Sequence, residues 1–460
     1  MTSSVSYMKF EPIQTYNEDP YSMYVSSALL KKWKMADESI IPLTIGRTCI
    51  SVKMKTFSID TSTLKIPTAL FEKYSLPVQK YVFAVRFDEV LQTLKVGPII
   101  GMLTNYYHDE NDEPNFRSIH SFCEELEKGV KEYGGFFYVF AHADFSASSV
   151  KGFYYENERW VSSELPLPDV IYNRIHSRKL EQGSEMLALR EMINDLEIPY
   201  FNERFFSKWE VYNYLSHEDH LLPYLPDTKL LTRESLIEMT NKYSTVFIKP
   251  IHGSQGRNIL KITKDENSYW VDTSTNHHLK SERKLSFNEL FQHYQTFFTK
   301  KWCIVQQGID LIDYYSRQID FRVLCHRNSQ NLWSKTSTVA RISAKQQFVS
   351  NIAQGGEIMR PVLALSHCFS KQEAMAQSAL LAELAIEACS ILSQHTSGIL
   401  GELGVDIGID HHGKLWIIEI NSKPSKNFED KSLKIRPSAK AIIRFCTSLA
   451  FEKSTKKEDS

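Results

Sequence analysis

The segment GVDIGIDHHGKLWIIEINSKP, residues 404–424, concentrates the strongest local chemistry in the chain. Two alternating strands flank the turn DHHG, and side chains two residues apart on a strand share a face. A two-residue loop at His411 and His412 would set Asp410 opposite Gly413 and Asp406 opposite Ile417. Glu419 would then lie one diagonal step from Asp406 on the same face, with Asn421 beside it. A three-residue loop would reverse that parity. Two carboxylates and an amide oxygen gathered among Val, Ile, Leu and Trp repel one another unless a cation lies between them. All-oxygen donors suit a hard ion such as Mg²⁺, which commonly takes one or two carboxylates plus phosphate oxygens. In isolation, a solvated sheet face carrying alternating polar residues would read the same way. Gly408 on that face would leave room for a ligand to approach closely.

Four further segments could act on such a ligand. FIKPIHGSQGRNI places Lys249 at a strand end, ahead of a loop containing Gly253 and Gly256. The lysine could meet a phosphate as a point charge while loop N–H groups approach its neighbours. No G-x-x-x-x-G-K-[ST] run is present, so this is not a P-loop, and alone it is an ordinary hairpin turn. IDFRVLC sets Arg322 beside Asp320, and TVARIS carries Arg341. SNIAQGGEI puts Asn351 ahead of Gly355 and Gly356. Arginine grips phosphate or carboxylate with two parallel bonds, although a single arginine is as readily a surface ion pair. Other chemistries fall away: HEDH at 217–220 has no third metal ligand near it, and no G-x-S-x-G elbow occurs.

The elements that must position these residues follow from periodicity. At roughly 150 residues per domain, 460 residues imply about three folding units. From about Thr44 to Ile99 the pattern alternates at period two, giving a β-rich unit over residues 1–95. Residues 96–203 alternate apolar strands (IIGML, FFYVFA, DVIYNRI) with helical segments, which predicts a parallel sheet with helices on its faces. Residues 204–450 mix helices with antiparallel strand pairs. Thr232 is the expected cap of one helix, and Leu381, Leu384, Ala388 and Ile391 recur on one face of another. RPSAKAIIRFCTSLAF is a last helix with Pro437 in its first turn. The charged tail 451–460 lacks the residues to pack.

Composition narrows the function. Lys and Arg total 54 against 55 Asp and Glu, a net charge of −1, which argues against non-specific nucleic-acid binding. No apolar run reaches about 18 residues, so no membrane span is expected. The seven cysteines form no Cys-x-x-Cys pair and read as reduced thiols of a cytoplasmic protein.

Taken in order, SKW with Lys208, FIKP with Lys249, HGSQG, VQQGID, DFR, the stretch from Arg341 to Asn351, and GVDIGID…IIEINSKP resemble the ATP-grasp superfamily. GPIIGMLT, FFSKWEVYNYL, LPDTKLL, VQQGIDLI and NIAQGGE narrow the resemblance to the YheC/YheD family of endospore coat-associated ATP-grasp proteins. It covers roughly residues 40–450. The resemblance implies an α/β fold with α+β elements: an ATP-grasp domain, a preceding parallel-sheet pre-ATP-grasp domain and an N-terminal β-rich domain. It implies that Lys208 and Lys249 hold ATP phosphates and that Ser254 and Gly256 belong to a glycine loop over them. Gln306, Gln307 and Ile309 would form the hinge whose backbone pairs with adenine, and Asp310 or Asp313 would reach the ribose. Asp406, Glu419 and Asn421 would bind one or two Mg²⁺, with Mn²⁺ as a substitute. Arg322, Arg341 and Asn351 would steady the transferred phosphate. The implied reaction is ATP-dependent ligation of a carboxylate to an amine or thiol through an acylphosphate. Small molecules, peptides or spore-coat components are the expected partners, at a cytoplasmic or coat-associated location. A non-catalytic nucleotide-binding protein of the coat is the alternative reading, and many relatives begin the hinge with Glu where this chain has Gln306.

Overall fold

The computed structural model describes residues 5–14, 19–253, 256, 258–274, 284–300, 302–344, 356–426 and 434–452. The chain forms two compact units, one of residues 1–204, 328–330 and 425–460, the other of residues 205–327 and 331–424.

The first unit opens with β1 (Ser6–Ile13), β2 (Ser22–Val25), α1 (Ser27–Lys32), β3 (Ile40–Ile45), β4 (Thr48–Thr56), β5 (Thr63–Pro67), α2 (Thr68–Lys73), β6 (Tyr81–Asp88) and β7 (Thr93–Gly97). The seven strands close into a barrel in the order β1-β5-β2-β4-β3-β7-β6, with β6 paired back onto β1. Inward positions alternate along each strand, as Leu43 and Ile45, Val52 and Met54, and Phe83 and Val85 show by their burial. The strand pattern thus begins well before Thr44. In β1 only Met8 and Phe10 are fully buried while Tyr7 and Lys9 are exposed, so its apolar signal is thin.

A sheet follows, built from β8 (Ile99–Leu103), the small ribbon β9 (Tyr107–His108) and β10 (Pro114–Asn115), α3 (His120–Tyr133), β11 (Phe136–Phe140), β12 (Val150–Glu156), β13 (Arg159–Leu165), β14 (Val170–Asn173), α4 (Arg178–Glu181), α5 (Ser184–Asp195) and β15 (Tyr200–Phe201). Its order is β13-β12-β11-β8-β14-β15. The four strands β11, β8, β14 and β15 are parallel, and β12 pairs antiparallel with β11, carrying β13 as an antiparallel hairpin at one edge. One set of packed side chains runs from Phe10 and Phe83 of the barrel to Tyr138 and Ile171 of this sheet. The change near residue 95 is therefore one of topology within a shared core.

The second unit holds two antiparallel sheets. α6 (Lys208–Ser216), β16 (Thr228–Leu230), α7 (Arg233–Lys242), β17 (Thr245–Pro250), β18 (Leu260–Asp265), β19 (Ser268–Thr273), α8 (Phe287–Lys300) and β20 (Cys303–Gln307) build the first, in the order β16-β20-β17-β18-β19. β21 (Ile319–Arg327), β22 (Trp333–Ile342), β23 (Glu357–Met359), α9 (Pro361–Leu365), α10 (Lys371–Gln394), β24 (Glu402–Ile409) and β25 (Leu415–Asn421) build the other, in the order β23-β22-β21-β24-β25. α10 is capped reciprocally by Ser370 and Glu373 and buries Leu381, Leu384, Ala388 and Ile391 in the core of this sheet. By length and composition alone α10 could cross a membrane, but that apolar face is spent on the core.

The last helix is α11 (Pro437–Phe451). It belongs with the first unit. A Cβ at Gly129 of α3 would come within 2.5 Å of Ile443 Cδ1, so the glycine is what lets the two helices approach. Arg436, just before α11, donates from its backbone N and its Nε to the Glu125 carboxylate, each at 2.6 Å.

Candidate nucleotide and metal site

The β24-β25 turn differs from the expected two-residue loop. Asp410 N donates to Lys414 O at 3.0 Å, so the loop is His411-His412-Gly413, with Gly413 at φ +80°. The Asp410 carboxylate fastens it, accepting from His412 N (2.9 Å), Lys414 N (3.0 Å) and Trp416 Nε1 (2.9 Å). Three residues should have reversed the parity of β25. A bulge restores it: Ile407 pairs with Ile417, but Asp406 pairs with Glu419 and Gly404 with Asn421, leaving Ile418 as the extra residue. Ile417 and Ile420 both stay in the core as a result. Asp406 therefore faces Glu419, not Ile417, and Asn421 follows on the same face.

Neighbouring strands set cations on these carboxylates. Arg322 of β21 stands directly opposite Asp406. Its Nε and Nη2 grip both carboxylate oxygens, the Nη2 bond at 2.9 Å. Arg341 of β22 faces Asp320, donating from Nε at 2.6 Å and Nη2 at 2.8 Å, and its Nη2 also reaches Asp406 Oδ1 at 3.1 Å. Asn421 Nδ2 lies 3.4 Å from Asp406 Oδ2. Burial alone would raise the Asp406 pKa, but Arg322 and Arg341 outweigh it and hold the carboxyl below its usual range. Gly404 makes room for this pair, since a Cβ there would meet Pro424 Cβ at 2.8 Å and Arg322 Cδ at 3.3 Å.

Lys208 is the first residue of α6, whose Ser207 cap is reciprocated by Glu210. Its Nζ bonds Glu419 Oε1 at 2.5 Å and Gly253 O at 3.2 Å. It thereby ties the glycine loop to the carboxylate hairpin. Lys249 of β17 bonds Gln306 Oε1 at 2.6 Å. Burial first, then the nearby Lys208 charge, pull the Lys249 pKa down to about 8, against a smaller opposing pull from Glu419.

Other expected site residues have the following surroundings. Gln306 and Gln307 lie within the ladders of β20, and the N–H groups of Gln307 and Gly308 are spent on Asp227 O and Thr245 O. The space above Gly408 is filled by Leu311, whose Cδ2 would lie 2.6 Å from an added Cβ. The Asp310 side chain is 95% exposed and lies 3.9 Å from His411 Nε2. Gly256 is in the left-handed region at φ +65°, while Ser254, Asn351 and Gly355 lie outside the described residues.

Two participants carry no role in the sequence reading. Asp320 holds Arg341, and its i, i+2 spacing from Arg322 on one strand was the available signal. Thr228 contacts the Gln306 side chain at 3.0 Å, and nothing in its local sequence points to that. Among the described residues no three His, Cys, Asp or Glu side chains cluster in a way that could hold a metal. The hairpin's donor set of two carboxylates and an amide oxygen is nonetheless all-oxygen, as a hard cation requires.

Antiparallel sheets bringing two lysines, two arginines and an acid–acid–amide hairpin together define an ATP-grasp protein. The model of YheC/D-like ATP-grasp proteins matches residues 197–449, more than half of the chain, and the chain belongs to that family. It is 29% identical over 372 residues to the endospore coat-associated protein YheD of Bacillus subtilis (strain 168), covering 79% of this chain and 80% of that one. Its identity to the endospore coat-associated protein YheC of the same strain is 25% over 341 residues, covering 71% and 90%. Among solved structures, D-alanyl-alanine synthetase A of Vibrio cholerae aligns with a TM-score of 0.46 at 11% identity, over 77% of this chain and 99% of that one.

Proposed function

We propose that this protein is an ADP-forming ligase joining a carboxylate to an amine. The observation that supports it is the cross-strand placement of Asp406 with Glu419, and Arg322 with Asp406, beside Lys208 and Lys249. A decayed site would have lost part of this set. In this reading a substrate carboxylate oxygen attacks the γ-phosphorus, the bond to the β-phosphate oxygen breaks, and ADP leaves. The amine nitrogen then attacks the acyl carbon of the resulting acylphosphate, expelling inorganic phosphate and losing a proton. Asp406, Glu419 and Asn421 would hold Mg²⁺, which supplies charge neutralisation at the phosphates. Lys208 and Lys249 bind phosphate oxygens, and Lys208 exchanges Glu419 for phosphate as it does so. Arg322 and Arg341 keep Asp406 ionised and oriented and offer their remaining N–H groups to the moving charge. Positioning and electrostatics supply most of the rate.

The relatives' names make a spore-coat component, a peptide or an amino acid the first acceptors to examine, in the cytoplasm or at the forming coat. A screen of ADP release across amino acids and short peptides, with mass spectrometry of products, tests the proposal. The expected result is substrate-dependent ADP with a product one water lighter than its two components. Tight ATP binding with no ADP release from any substrate would instead favour a non-catalytic nucleotide-binding protein of the coat.

A further inference from the structure

Three strands of the first sheet in the second unit present Thr228, Gln306 and Lys249 in a row. Thr228 of β16 is directly opposite Gln306 of β20. Lys249 of β17 pairs with Ile304, two residues before Gln306, so lysine and glutamine are diagonal neighbours on one face. Thr228 Oγ1 donates its single proton to Pro226 O at 2.8 Å. Toward Gln306 it can therefore only accept, and it does so from Nε2 at 3.0 Å. That contact fixes the amide's orientation and turns Oε1 onto Lys249 Nζ at 2.6 Å. Thr228 and Gln306 are 3% and 7% exposed, so the arrangement is built into the sheet.

The charges around the site give this row a purpose. Glu419 is occupied by Lys208, Asp406 by Arg322 and Arg341, and Asp320 by Arg341. Of the cations Lys208, Lys249, Arg322 and Arg341, Lys249 is the one that forms no ion pair with a carboxylate among the described residues, its acceptor being the neutral Gln306 amide. An amide aims an ammonium as well as a carboxylate does but leaves its charge uncancelled.

We propose that Gln306 is a positioning residue: its Thr228-locked amide aims Lys249 while leaving the lysine's charge for a phosphate oxygen. The inference rests on the nucleotide reading of the site and assigns a side-chain role at a position where that reading needs only backbone. A carboxylate at 306 would hold the same lysine equally well and neutralise it. Gln306→Glu, nearly isosteric, thus separates charge from shape.

Calorimetric affinities for ATP, ADP and uncharged adenosine test this on the full chain, with Thr228→Val and Thr228→Ser alongside. Gln306→Glu should weaken ATP and ADP at least tenfold and leave adenosine within about twofold. Thr228→Val should weaken ATP several-fold, and Thr228→Ser should restore it. Equal ATP affinity in wild type and Gln306→Glu, or an equal loss on adenosine, overturns the inference while leaving the nucleotide reading standing. Wild-type protein that binds no ATP overturns both.

Discussion

Asp406 and Glu419 face each other across one rung, yet their removal should cost different things. Asp406 is buried between two guanidiniums, and stranding buried charges costs about 3–5 kcal/mol. Asp406→Asn should therefore lower stability by an amount of that order in chemical denaturation and abolish nucleotide turnover. Glu419 and its lysine keep 28% and 13% side-chain exposure, and a Gln at 419 can still accept from Lys208, so replacing this single charged hydrogen bond should cost less, about 1.5 kcal/mol. Glu419→Gln should lower the melting temperature by less than Asp406→Asn does and lower Mg-dependent ADP release at least a hundredfold. Wild-type turnover in that variant would remove the metal-site assignment. The residue types were legible in the sequence because each motif pairs a charge with a strand. Their engagement was not: Arg322 and Arg341, assigned there to phosphate, are held by carboxylates that only cross-strand register brings to them.

At the scale of elements, register and helix partners were the hardest things to read. Loop length and bulge each shift parity by one, and in β24-β25 the two shifts cancel. Asp406, Glu419 and Asn421 share a face for a reason the sequence does not display, since the pattern WIIEIN fits either parity. α10 was readable because its period and its Ser370–Glu373 cap are local. The home of α11 was not, because its docking depends on Gly129, more than 300 residues earlier. Gly129→Leu should force the two helices apart at a cost of about 1–3 kcal/mol. Limited proteolysis should then cleave around residues 425–436 faster while nucleotide affinity stays unchanged. Unchanged cleavage would mean the α3-α11 contact contributes little.

The molecule as a whole combines a unit that carries the candidate nucleotide site with another of different electrostatic habit. In the first unit Asp169 is buried, accepts from Ile99 N at 2.8 Å and lies 3.5 Å from Lys95. Burial pushes its pKa from 3.8 up to about 6, with Lys95 opposing. A carboxyl whose folded pKa is raised binds more protons folded than unfolded, so its contribution to stability falls as pH rises from about 4 to about 6 and stays low above. The melting temperature of the first unit should be less favourable at pH 7 than at pH 5 on this account, and Asp169→Asn should flatten that difference. An unaltered pH profile in Asp169→Asn would remove Asp169 as its source. The division into units yields a second expectation: residues 205–424 expressed alone should fold cooperatively, whereas residues 1–204 should need 425–452 added in trans. A fragment 1–204 that melts cooperatively by itself would contradict it.

That last dependence bears on how the chain is made. A ribosome releases the barrel and the first sheet early, but the helix that covers α3 emerges only after the whole second unit. The second unit is complete by residue 424, so it can finish folding while the first still waits for its closing helix, reversing the usual N-terminal-first order. During that interval the apolar surface of α3 around Gly129 and Phe122 stands open, and chaperone demand should scale with the time taken to translate the intervening unit.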